Sequence, residues 1–141
     1  MNRMHIHVTV DDLAQAKSYY AALFGQAPSV EKPDYLKWSM DDPSVNFAVT
    51  YRKAGRDTGV DHIGIQTDSD AALETLHNRM AEAQLATTPE CDVQCCYAQS
   101  NKHWATDPAG IVWEMFHTMA SAQTYGSYEP EQPAELKEAC C

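Results

Sequence analysis

The chain has 141 residues, 44% of them hydrophobic, enough for one domain with a real core. Its formal net charge of −10 is the wrong sign for a binder of nucleic acid or of an anionic membrane surface, so neither is expected as a partner. No apolar run approaches the roughly 20 residues of a membrane-spanning helix, and Met1–Val10 alternates like a strand, so a cytoplasmic protein is expected.

In chain order, Met4–Val10 places His5, His7 and Thr9 on one face and Met4, Ile6, Val8 and Val10 on the other, the pattern of a strand with one polar and one apolar face. Asp11 or Asp12 caps a helix whose stripe is Leu13, Ala16, Tyr20, Leu23 and Phe24, and Gly25 ends it. Ala27–Val30, Tyr35–Met40 and Val45–Tyr51 read as strands, and the polar segment Arg52–Thr58 joins the halves. Val60–Thr67 is again a strand, with His62, Gly64 and Gln66 on one face, followed by a helix over Asp68–Ala83 with the stripe Leu73, Leu76 and Met80. Ala86–Glu90, a stretch from Cys96 to Ala105, and Ile111–Thr118 complete the second half. The order β-α-β-β-β thus occurs twice, in modules spanning 1–52 and 59–118 of a single domain over 1–120. From 121 to 141 the composition shifts to Gln, Glu, Pro, Ser and Tyr, the signature of an acidic, flexible tail. An α+β fold is expected, with a mixed sheet curved into a cup whose polar faces line the inside.

Each module opens on a histidine, and the last strand carries Glu114 among the apolar residues Ile111, Val112, Trp113, Met115 and Phe116. A strand histidine by itself is usually solvated or hydrogen-bonded, but a carboxylate in an apolar strand is costly to bury unpaired. Two histidines at equivalent places in a repeat, joined by one intrusive carboxylate, have the composition of a metal site. The first module has no counterpart of Glu114: six residues after Pro108 stands Glu114, whereas six after Pro43 stands Val49, and Val45–Tyr51 holds no carboxylate.

The repeat resembles the vicinal oxygen chelate superfamily, which includes glyoxalase I, bleomycin-binding proteins and extradiol dioxygenases. The resemblance covers residues 1–118 and implies metal ligands on the first and last strands of each module, here His5, His62 and Glu114. With the fourth carboxylate missing, two histidines and one carboxylate remain, a set that suits non-haem Fe(II) and O₂, although zinc or manganese fits the same ligands. His7 shares the face of His5 and is a candidate supporting group or substitute ligand, and His103 is a second candidate support.

The five cysteines form no even framework, and Cys95-Cys96 is read as a pair of reduced thiols. Small buried hydrophobes are the plain reading of such a pair. Together with Lys102, Trp104, Asp107-Pro108-Ala109-Gly110 and Trp113-Glu114, however, the pair resembles the branch containing organoarsenical C–As lyases and bacterial cadmium-induced proteins. That resemblance implies an Fe(II)-dependent dioxygenase splitting the carbon–arsenic bond of trivalent organoarsenicals, with Cys95, Cys96 and Lys102 binding the substrate. The physical logic is that soft trivalent arsenic prefers thiolates. For Lys102 the plain reading is a solvated lysine. The alternatives are a soft-metal sequestration protein without turnover and a glyoxalase-like lyase or isomerase. His77 and His117 read as surface or packing residues, the roles of Cys91, Cys140 and Cys141 stay open, and a homodimer is expected because half-open cups complete one another.

Overall fold

The computed structural model describes residues 1–52, 57–95 and 98–121. Its elements are β1 (Arg3–Val10), α1 (Leu13–Phe24), β2 (Val30–Lys32), β3 (Tyr35–Asp41), β4 (Ser44–Tyr51), β5 (Gly59–Thr67), α2 (Asp70–Glu82), β6 (Thr88–Cys95), β7 (Ala98–Thr106) and β8 (Val112–Ser121). The order is β-α-β-β-β twice, with mixed strand pairing, so the α+β class read from the repeat holds. Among the described residues no helix is long and apolar enough to cross a membrane.

The chain divides into two compact units. Asn2–Gln66 and Thr106–Trp113 form one; Met1, Thr67–Ala105 and the chain from Glu114 form the other. In the first unit the strands run β2-β3-β4-β1-β5, with β1 parallel to β4 and antiparallel to β5. Alternation along β1 and β4 then separates two faces. Val8, Val45, Phe47 and Val49 join Leu36, Trp38 and Met40 in the core, and α1 covers them with Leu13, Ala16, Tyr20, Ala21 and Phe24. The opposite face carries His5, Asn46, His7 and Thr50, all buried.

The helix caps are those the residue types dictate. The Asp12 carboxylate accepts from Gln15 N at 2.9 Å, and Gly25 ends α1 in the left-handed region at φ 67°, a conformation that costs glycine nothing. In the second unit the Ser69 hydroxyl accepts from Ala72 N at 3.2 Å at the start of α2. There the strands run β8-β7-β6, and α2 buries Leu73.

Three local expectations change. Leu23 is 61% exposed, because the 3.6-residue period carries it past the edge of the α1 stripe. β2 starts at Val30, where pairing with Lys37 begins, and Pro28 upstream has no N–H to offer a ladder. β6 runs on to Cys95 because an irregularity between Glu90 and Val93 lets its pairing with β7 resume, so Cys95 closes β6 and pairs with Ala98. Cys96 and the tail from 122 onward, including Cys140 and Cys141, lie outside the described residues.

Trp38 is 0% exposed, and its Nε1–H donates to Gln26 O at 3.1 Å. Trp38→Ala is expected to cost about 3–5 kcal/mol by removing the largest core side chain. The measurement is a lower urea midpoint at unchanged slope.

Candidate metal centre

β1 is a central strand, and its polar face meets its neighbours in register. His5 pairs with Asn46 of β4, and His7 with Ala48 on one side and His62 of β5 on the other. Three imidazoles therefore converge. One ligand nitrogen from each of His5, His7 and His62 lies within 4.8 Å of the others, and their ring centroids are 4.7–6.0 Å apart.

The partners behind two of these rings set their protonation. His5 Nδ1 lies 3.0 Å from the main-chain oxygen of Asn46, and His62 Nδ1 lies 2.7 Å from Asp61 Oδ2. A carbonyl and a carboxylate only accept, so both Nδ1 atoms carry the proton and donate it. In neutral rings both Nε2 atoms then present lone pairs, and these face each other at 3.3 Å. With a second proton on either ring the pair closes as an N–H···N hydrogen bond, and with both rings neutral the two lone pairs can share a cation. Two nitrogens each about 2.1 Å from one ion at a tetrahedral angle would be about 3.4 Å apart, so the separation fits a divalent metal. His7 Nε2 lies 3.0 Å from Thr50 Oγ1, a hydroxyl able to donate or accept. The surroundings are polar to the same purpose. Asn46, 3% exposed, sends its Nδ2–H to Gln66 Oε1 at 3.0 Å, while its Oδ1 is a buried acceptor with no partner among the described residues.

Val49, the position compared with Glu114 by counting from the prolines, sits in the apolar core instead. The residues of β4 that share the histidine face are Asn46, Ala48 and Thr50, and none is a carboxylate. Counting from a turn misplaces a side chain whenever it gets the parity wrong.

Glu114 and Lys102 meet within the second unit. Lys102 Nζ on β7 donates to Glu114 Oε1 on β8 at 2.6 Å, with side chains 5% and 6% exposed, and Lys102 lies 5.6 Å above the Trp104 ring. A solvated lysine was the plain expectation; the ion pair buries it because a carboxylate at this depth needs a counter-charge. The odd positions of β7 and β8 face α2. His103 stacks on His77 at 4.3 Å, and Asn101 Nδ2 and His117 Nδ1 both donate to Asp70 Oδ1 at 3.1 Å. His77 and His117 are thus packing residues, and His103 packs against the helix. Cys91 is a half-buried cysteine on β6, outside any disulfide. Asp61 and Asn46 were not singled out from the sequence. A residue beside a strand histidine is expected on the opposite face, and nothing local marks Asn46.

The comparisons with known proteins agree with this fold. A family model described as the Glyoxalase/Bleomycin resistance protein/Dioxygenase superfamily matches residues 3–115, and the chain belongs to that superfamily. It is 33% identical to a trivalent organoarsenical cleaving enzyme from Bacillus sp., over 100% of this chain and 91% of the relative. It is 32% identical to the cadmium-induced protein CadI of Mycobacterium tuberculosis, over 100% and 93%. An extradiol ring-cleaving dioxygenase from B. fuscum superposes with a TM-score of 0.61 at 16% identity, covering 86% of this chain and 34% of that one, which shows a shared fold.

Two predictions follow from the second unit. Lys102→Met removes the counter-charge of a buried carboxylate and is expected to cost about 3–5 kcal/mol, whereas Lys102→Met with Glu114→Leu recovers most of that loss. Denaturant unfolding of the two variants checks it. Burial, with the His77 ring beside it, holds His103 below the usual imidazole value. The unfolded chain therefore takes up this proton first, and stability falls as pH drops through about 6.5, levelling off below the folded value. Unfolding midpoints between about pH 7 and pH 5 should fall more steeply for wild type than for His103→Phe.

Proposed function

We propose that this protein is a cytoplasmic, homodimeric, non-haem Fe(II)-dependent dioxygenase that cleaves the carbon–arsenic bond of trivalent organoarsenicals. The metal-enzyme reading rests on the two opposed Nε2 atoms of His5 and His62, 3.3 Å apart. The arsenical reading is supported by full-length similarity to proteins named trivalent organoarsenical cleaving enzymes, from Bacillus sp. and Thermomonospora curvata among others.

The residues that would hold the metal are His5, His62 and Glu114, with His7 beside the two histidines. Fe(II), when bound, supplies the redox chemistry that lets O₂ react. The chain's own part is to bind and orient. Cys95 and Cys96 displace the two hydroxyls of an organoarsonous acid as water, leaving arsenic held by sulfur and its carbon substituent free; hydrolysis after turnover returns both thiols. Soft arsenic favours these ligands over oxygen, and tethering turns an encounter into a positioned reaction. For methylarsonous acid the balance is CH₃As(OH)₂ + O₂ giving CH₂O and As(OH)₃, with both oxygen atoms incorporated.

A soft-metal binding protein without turnover is the rival, favoured by the likeness to cadmium-induced CadI. The full chain, reconstituted anaerobically with Fe(II) and given methylarsonous acid and O₂, is expected to release arsenite and formaldehyde in step with O₂ uptake. Tight binding of cadmium or arsenic with no O₂ uptake would sink the lyase and promote the rival. Cys95→Ser and Cys96→Ser should each lose turnover yet keep Fe(II), because a serine oxygen is too hard for arsenic. His5→Ala, His62→Ala and Glu114→Ala should each lose Fe(II) binding while staying folded; a Glu114→Ala protein that binds Fe(II) like wild type removes Glu114 from the ligand set.

A further inference from the structure

Asp61 precedes His62 in β5, and in a regular strand adjacent side chains leave on opposite faces. Here the pairing of β1 with β5 is irregular. His7 pairs with His62, but Val8 pairs with Val60, so Asp61 is the extra residue of a β-bulge. A bulge bends the strand locally and re-aims the side chain it carries. The result is a carboxylate behind the imidazole of its own neighbour, Asp61 Oδ2 to His62 Nδ1 at 2.7 Å.

We propose that Asp61 is a positioning residue of the metal centre, and that the bulge in β5 serves to put it there. The proposal rests on the metal reading given above. By accepting Nδ1–H, the carboxylate fixes the tautomer in which Nε2 of His62 holds the lone pair aimed at His5. It also pins the ring plane, and its negative charge makes Nε2 a stronger electron donor. His5 has the weaker arrangement, a neutral main-chain oxygen at 3.0 Å behind its Nδ1. The two imidazoles are therefore unequal, and His62 is the anchoring ligand. Ladder pairing alone would have sent the Asp61 side chain to the other face, where it could not perform this role.

The test compares wild type, Asp61→Ala and Asp61→Asn as full chains, with Co(II) and Fe(II) as probes. Asp61→Ala is expected to bind both metals roughly 10- to 100-fold more weakly. Asp61→Asn keeps an acceptor oxygen but loses the charge, and should fall between the two. Nitrogen-15 NMR of the metal-free proteins supplies a readout that loss of packing would not move: the Nδ1–H tautomer of His62 should dominate in wild type and lose that dominance in Asp61→Ala, while His5 is unchanged. Affinities of both variants within about twofold of wild type would overturn the proposal. If Asp61→Ala does not fold, Asp61→Asn decides on the same criterion. A wild type that binds Co(II) in an Asp61-dependent way but splits no C–As bond sinks the arsenic reading and leaves this one standing. Arsenical turnover with Asp61-independent metal affinity does the reverse.

Discussion

The first unit holds two buried imidazoles, His5 and His62, with their Nε2 atoms facing each other at 3.3 Å. Each ring is fastened from behind through Nδ1, one by a main-chain oxygen and one by a carboxylate. Both histidines stand on β1 and β5, strands paired to each other, with β1 also paired to β4. On the far side of the same strands lies the apolar core centred on Trp38 and Val49. Burial of that core supplies the stability that lets the polar face keep three imidazoles buried together. A divalent ion bound there would add to stability in turn, since binding to the folded state alone shifts the equilibrium toward it.

The second unit handles buried charge differently. Lys102 and Glu114 are both nearly inaccessible and satisfy each other directly. Such a pair contributes little net stability, because the desolvation of two ions offsets most of their attraction, yet losing either member is expensive. On the other face of β7, His103 stacks on His77 and avoids the charge problem by staying neutral. One unit thus gathers three imidazoles, one of them backed by the Asp61 carboxylate, and the other pairs Lys102 with Glu114.

Fold membership does not choose the reaction, since the superfamily description itself joins glyoxalases, resistance proteins and dioxygenases. What narrows the choice is the donor set: imidazole nitrogens on a face where Asn46, Ala48 and Thr50 stand in place of a carboxylate. A glyoxalase-like site with a carboxylate from each module is not available on β4. That chemistry, together with a relationship spanning the whole chain to arsenical-cleaving enzymes, is why the arsenical reading is preferred.

The amino-acid sequence by itself determined the repeated β-α-β-β-β order, a cap at Asp11 or Asp12, the end of the first helix at Gly25, and the face on which His5 and His62 stand. These depend on local chemistry and on a period of two or 3.6 residues, which a single segment carries within itself. Only the tertiary structure decided where β2 begins, how far β6 runs, that Lys102 is buried against Glu114, and that His103 packs on His77. Each depends on a partner brought from elsewhere in the chain, and no local pattern encodes the partner's position. Asp61 shows the difference most clearly. Alternation sends its side chain away from His62, and only the slip in register between β1 and β5 brings the carboxylate behind the ring. Register is a property of two strands together, so it becomes legible only once both are in place.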